Sequence, residues 1–165
     1  MDILEKVFRA LDKEIEIENQ QRREDSALLL TKAEIRLLGQ MSLISNPEVQ
    51  AQITLLATFD VDALVKGGHW IESKFRDLLK KEDLELDSLS HEIWIPSEST
   101  FTEVFSSNRL VCLRLDPLYV FLSKAIKAKE KNRMLIAQAL EIYGNELRKL
   151  IQKYGGDLKY FNLTK

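Results

Sequence analysis

Asp60 and Asp62 bracket a single valine in the run Thr58-Phe59-Asp60-Val61-Asp62. In a strand, residues two apart point to the same face, about 7 Å apart along the chain. The two carboxylates would then stand side by side while Phe59, Val61 and Ala63 pack inward. Carboxylates that close repel each other unless a cation lies between them. Hard divalent ions such as Mg²⁺ take oxygen ligands, and carboxylate pairs hold them where phosphoryl groups are transferred. The competing reading is a solvated strand end. Lys124 and Lys127, three apart, share a helical face and could meet phosphate oxygens. They open a basic cluster that continues through Lys129, Lys131 and Arg133, and a solvated helix face is the plain alternative.

Other reactive residue types are poorly arranged. His69 and His91 are too few and too scattered for a zinc site, and His91 beside Glu92 reads as a strand-edge histidine. Cys112 lies in an apolar run and reads as a buried thiol. Ser123 and Cys112 have no histidine in a recognisable nucleophile arrangement. Gly67-Gly68 lacks the spacing of a phosphate-binding glycine motif. Trp70 and Trp94 could stack a base, with core or rim packing as the default.

The elements that must carry these residues are legible in outline. Asp2 caps an N-terminal helix with Glu5 as its reciprocal partner, and Ile3, Val7, Leu11 and Ile15 line one face. Glu16 to Asp25 reads as a solvated end or loop, and Ser26 to Thr31 as a short helical turn. Glu34 to Leu38 alternates into Gly39, a short strand ending at a glycine turn. A helical turn over Met41–Ser45 stops before Asn46-Pro47. Ile53 to Val65 reads as a buried strand, broken by Gly67-Gly68. Trp70 to Lys81 has helical period, with Ile71, Phe75, Leu78 and Leu79 inward. Asp83 to Ser90 reads as a polar connection, His91 to Ile95 as a strand stopped by Pro96, and Arg109 to Leu115 as another strand. Asp116-Pro117 then opens a helix. A last helix from about Asn132 to Tyr154 carries a seam at Ile136, Leu140, Tyr143, Leu147, Leu150 and Tyr154. That seam suits packing within the chain or between chains.

Composition bounds the class. With 165 residues, 45% hydrophobic and 30% charged, the chain can bury one core. It is no disordered tail or disulfide-stapled miniprotein. The longest mainly apolar stretch without charge, Ala51 to Phe59, is too short to span a bilayer. The N-terminus meets charge at once, so no signal core is expected and a soluble, cytoplasmic protein is. Residues 1–120 carry 14 Lys/Arg against 22 Asp/Glu, whereas residues 121–165 carry 10 against 4. The C-terminal part could attract phosphate locally, or it could dock on an acidic body.

The order of strand, Gly39 turn, short helix and a strand bearing Asp-Val-Asp resembles the nucleotidyltransferase fold. Thr58-Phe59-Asp60-Val61-Asp62 is similar to the Thr-X-Asp-Ile-Asp segment of minimal nucleotidyltransferase-like proteins and abortive-infection toxins. The stretch from Leu115-Asp116-Pro117 through Lys124 and Lys127 to Arg133 is similar to their lysine-bearing helix. The likeness spans roughly residues 34–140. Gln40 stands where the family's glycine-serine turn has serine, and Leu56-Ala57 stand where an arginine is usual.

The resemblance implies a single α+β domain over 1–165. It comprises a short mixed β-sheet flanked by helices, an N-terminal helical segment (1–30) and C-terminal helices (116–156). It further implies metal-dependent transfer of a nucleoside monophosphate from a nucleoside triphosphate to a hydroxyl acceptor, RNA or protein. Asp60, Asp62 and the third carboxylate, Glu92, would be the catalytic and metal-holding residues for Mg²⁺ or Mn²⁺. Gly39, Lys124 and Lys127 would meet the nucleotide's phosphates. The rival expectation is a non-catalytic binding or assembly protein of the same fold. In that case the terminal helices form a homo-oligomeric or partner interface.

Overall fold

The computed structural model describes residues 2–162. A long helix, α1 (Ile3–Glu24), begins at Asp2, whose carboxylate accepts from the Leu4 amide. Glu5 does not reciprocate; it pairs with Arg9 one turn on. The helix continues through the polar stretch expected to end it. Ile15 and Asn19 stay buried, and Arg22 pairs with Glu18 at i,i+4. Residues 26–31 are irregular rather than helical. Asn19 ties them down by accepting from the Leu30 amide.

Strand β1 (Ala33–Leu37) alternates buried and half-buried residues and ends at short helix α2 (Gly39–Ile44). Asn46 then caps a single turn, α3 (Pro47–Gln50). The expected strand over Ile53–Val65 is mostly loop, with Leu56 80% and Phe59 73% exposed. Only its last part is extended, as β2 (Asp60–Val61) and β3 (Ala63–Lys66). The break at Asp62 is a change of partner. β3 pairs antiparallel with β1, whereas β2 pairs parallel with β4 (Glu85–Leu86), a strand inside the expected polar connection.

Helix α4 (His69–Lys80) buries the four apolar residues its period picks out. His91 to Ile95 is not a strand. A 3₁₀ turn occupies Ser90–Glu92 and an irregular stretch follows it. The turn is favoured because the Asp87 side chain accepts from the Leu89 amide while Ser90 Oγ donates to the Asp87 carbonyl. The Phe101–Ser106 strand, β5, has no counterpart in the sequence reading, since a bulge between Glu103 and Phe105 spoils its alternation. It lies on the edge beside β6 (Leu110–Leu115).

The four-stranded sheet has the order β3-β1-β6-β5, with β1 and β6 parallel and the outer pairings antiparallel. The fold is therefore α+β, a small mixed sheet flanked by helices. Helices α1 and α4 cover one core, around Phe8, Ile35, Phe75 and Cys112. Helices α5 (Pro117–Lys127) and α6 (Lys129–Lys153) cover the other with α2, around Leu43, Phe121, Ile136 and Leu147. Asp116 stands at the N-cap of α5, but its carboxylate accepts from Thr100 and Thr102, at the start of the adjacent strand β5, instead of capping. The α6 seam packs inside the molecule against α5 and survives a break at Gly144, whose φ of 54° and ψ of −130° interrupt the helix. Among the described residues, no helix is long and apolar enough to cross a membrane.

Candidate functional site

The C-terminal end of β1, the β2–β3 junction and the end of β4 open on the same cavity of about 590 Å³, with α5 and the start of α6 on its far side. Mixed and parallel sheets tend to bind ligands in such positions, outside the carboxyl ends of strands. Gly39 lines the cavity with a φ of +55°, and a Cβ there would sit 1.8 Å from Asp62 Oδ2. Only glycine admits both the left-handed backbone and the carboxylate. The Leu38 amide donates to the Asp62 carbonyl at 2.7 Å, locking the strand end to the acid.

Asp62 faces Asp87, not Glu92. The β2–β4 register pairs Val61 with Leu86, and the Asp87 amide donates to the Val61 carbonyl at 3.0 Å, so the next residue on each strand lies alongside the other. Ser90 holds this junction from below: its Oγ accepts from the Ala63 amide at 3.0 Å and donates to the Asp87 carbonyl at 2.7 Å. Burial pushes the Asp62 carboxyl up to about 6, and the charge of Asp87 and a hydrogen bond with it push the same way. Lys124 pulls in the opposite direction, and Asp60 adds a smaller upward push. An acid buried beside another acid holds its proton more tightly than an exposed one. Burial in turn depresses the Lys124 ammonium, against the favourable field of Asp62.

The remaining expected residues divide. Lys127 lines the cavity with its ammonium 5.6 Å from the Trp94 ring centroid. Glu92 borders the cavity but is exposed, with His91 Nε2 3.9 Å away. Asp60 is exposed outside the lining, its amide taken by Thr58 Oγ1. Phe59 does not pack inward, whereas Val61 and Ala63 do. Of the three expected carboxylates, Asp62 and Glu92 border one cavity and Asp60 does not, and the acid beside Asp62 is Asp87. Among the described residues, no three histidine, cysteine or acidic side chains are grouped to hold one ion. A Mg²⁺ ion needs no such cage, because it is commonly held by one or two carboxylates, with water and phosphate completing its shell. The crowded Asp62–Asp87 pair fits that requirement.

Trp94 and Lys131, read from the sequence as a base-stacking candidate and a member of the basic cluster, also line the cavity, as do Asp87 and Asn132, which the sequence reading gave no site role. The signal for Asp87 is Leu84-Glu85-Leu86-Asp87, whose leucines are buried in alternation. Lys124, Lys127, Lys129, Lys131 and Arg133 form no ion pair among the described residues, although pairs are frequent elsewhere in the chain. Lys129 and Arg133 instead lie over the Tyr160 ring. Compared with family models, curated proteins and solved structures, the chain matches none.

Proposed function

We propose that the cavity binds a nucleoside triphosphate with a divalent cation and transfers its nucleoside monophosphate to a hydroxyl acceptor. The observation that carries this reading is the convergence on one cavity of two neighbouring carboxylates, Asp62 and Asp87, and two lysines that form no ion pair among the described residues, Lys124 and Lys127. Asp62 and Asp87 would hold a divalent cation, which would supply charge neutralisation to the phosphates. Lys124 and Lys127 then offset the remaining phosphate charge. Gly39 leaves the space in which the Asp62 carboxylate sits against the backbone. The unpaired basic residues are compatible with an RNA or a protein acceptor, and a cytosolic place of action goes with the reading.

A second reading, a binding protein of the same architecture without catalysis, draws on the exposed position of Asp60 and Glu92. That position leaves two acids, not three, at the centre. Thermal melts with Mg²⁺ or Mn²⁺ and each nucleoside triphosphate test binding, because a ligand taken up only by the folded state must raise Tm. Transfer of an α-³²P label to RNA or protein then separates the readings. A Tm rise without label transfer supports the binding protein; no Tm rise with any triphosphate overturns both nucleotide readings.

A further inference from the structure

Asn132 is 92% buried at the start of α6, yet half of its amide is unused. Its Nδ2 donates to the Ala128 carbonyl at 2.8 Å. That bond fixes the orientation of the amide, since only the NH₂ side can face a carbonyl. Oδ1 is left as an acceptor, with no donor to it among the described residues. Among the described residues the buried polar side-chain atoms without a partner do not include this oxygen, so it opens on the cavity, where water or a ligand supplies the hydrogen. The position of Asn132 suits a ligand. It lines the Asp62–Asp87 cavity and also the adjoining one walled by Gln40, Leu56, Met134 and Gln138.

The neighbours of Asn132 indicate which part of a nucleotide it meets. Lys124 and Lys131 line the same two cavities, so the wall around Asn132 suits phosphates and what is bonded directly to them. The apolar side chains Leu89, Ile93, Trp94 and Val120 line the first cavity and suit a base. The group between phosphates and base is the sugar, and its hydroxyls are donors. We propose that Asn132 Oδ1 accepts a hydrogen bond from a ribose hydroxyl, making it the residue that selects ribonucleotides over deoxyribonucleotides. The inference rests on the nucleotide reading above and adds a sugar specificity to it.

The test is equilibrium binding of ATP, GTP, CTP and UTP to the full chain with Mg²⁺, against their 2′-deoxy and 3′-deoxy counterparts. A site built to hydrogen-bond a hydroxyl rejects the analogue lacking it. The wild-type protein should therefore bind the ribonucleotide about tenfold tighter than at least one deoxy form, the scale of one hydrogen bond. In Asn132→Ala that preference should vanish, through weaker ribonucleotide binding with deoxynucleotide binding unchanged. The wild-type comparison tests the sugar preference without any variant, and Asn132→Asp, which keeps the size of the side chain, stands in for Asn132→Ala if that variant does not fold. Ribo and deoxy forms binding equally to the wild-type protein would overturn the sugar assignment while leaving the nucleotide reading intact. A preference that persists in a folded Asn132→Ala would overturn the role of Asn132 alone. No binding of any triphosphate would overturn both.

Discussion

Two polar clusters sit against the core of this molecule, and they are built on opposite principles. On the α1 side, Asp12 accepts from Arg109 Nε at 3.1 Å, from Arg109 Nη2 at 2.8 Å and from Ser107 Oγ at 2.6 Å. Burial alone would raise the Asp12 carboxyl, but the Arg109 and Ser107 hydrogen bonds outweigh it and hold it low. In the cavity, Asp62 faces another acid, and burial and that acid together drive it the other way. Lys124 is near enough to feel Asp62 but is not bonded to it. One cluster has every charge answered from within the chain and acts as a clamp between α1 and the β5–β6 hairpin. The other leaves acids and ammonium groups short of partners, which suits a ligand that brings both a cation and an anion.

The comparison breaks most sharply if ligand response does not follow the unanswered cluster. Asp62→Asn and Asp87→Asn should each abolish the Tm rise given by Mg²⁺ with a nucleoside triphosphate, and reduce nucleotide transfer at least about 100-fold, the scale of losing a group that stabilises developing charge. Each variant should remain folded without ligand. A Mg²⁺-nucleotide response that survives both substitutions would move the site elsewhere.

The answered cluster should show the converse. Asp12→Ala leaves Arg109 and Ser107 without their acceptor and should lower stability by about 1–3 kcal/mol, read by urea melts. Nucleotide response in the remaining folded protein should stay as in the wild type. Asp12→Ala leaving stability unchanged would show that the clamp is a surface pair of little consequence.

Acidity sharpens the same contrast. The folded protein keeps a proton on Asp62 up to about 6, while an ordinary aspartate releases it near 3.8. Within that window the folded state binds more protons than the unfolded state, so this group's contribution to stability falls as pH rises through it and is level above. The difference is at most about 3 kcal/mol, and about 1–2 after solvent screening of a half-buried group. Asp62→Asn should therefore gain stability relative to wild type between pH 4 and 6 and hold that gain at pH 7.5. For Asp12, held low, the sign reverses: its stabilisation is present above the ordinary carboxyl range and is lost as pH falls below it. Melts of both variants against wild type across pH 3–8 should diverge in opposite directions.

How far these clusters could be read in the sequence depends on whether the pattern or the register builds them. Strand β1, helix α4, strand β6 and the start of α5 follow from alternation or helical period punctuated by Gly39, Gly67-Gly68 and Pro117. The α+β class follows with them. Residues 53–62 misled because an apolar run looks the same in a strand and in a loop. Only the pairing of β2 with β4 shows that the strand begins at Asp60. Asp62 was legible as a carboxylate at an apolar run's end. Asp87 was not, because its place beside Asp62 comes from a parallel register between segments about 25 residues apart in sequence. Asn132 was hidden for a different reason: one bond to Ala128 turns an ordinary polar helix residue into an oriented acceptor.

The smallest effect is expected where sequence pattern and structure disagree. Asp60 has the residue type and the nearness in sequence that a metal site suggests, and Glu92 the residue type, yet both are exposed, and only Glu92 borders the cavity. An exposed carboxylate acts on the site only through a field that water and salt screen over about 10 Å. Asp60 also contributes a weak upward push on Asp62, smaller than those of burial and of Asp87. Asp60→Asn should therefore ease deprotonation of Asp62 only slightly and change nucleotide transfer within about threefold, and Glu92→Gln should likewise change transfer within about threefold, the range of a screened surface charge. Raising salt should shrink both effects further. The decisive comparison is Glu92→Gln against Asp87→Asn under one set of conditions. If Glu92→Gln abolished transfer while Asp87→Asn left it near wild type, the third carboxylate would be Glu92 after all. The Asp62–Asp87 contact would then be an incidental acid pair rather than the centre of the site.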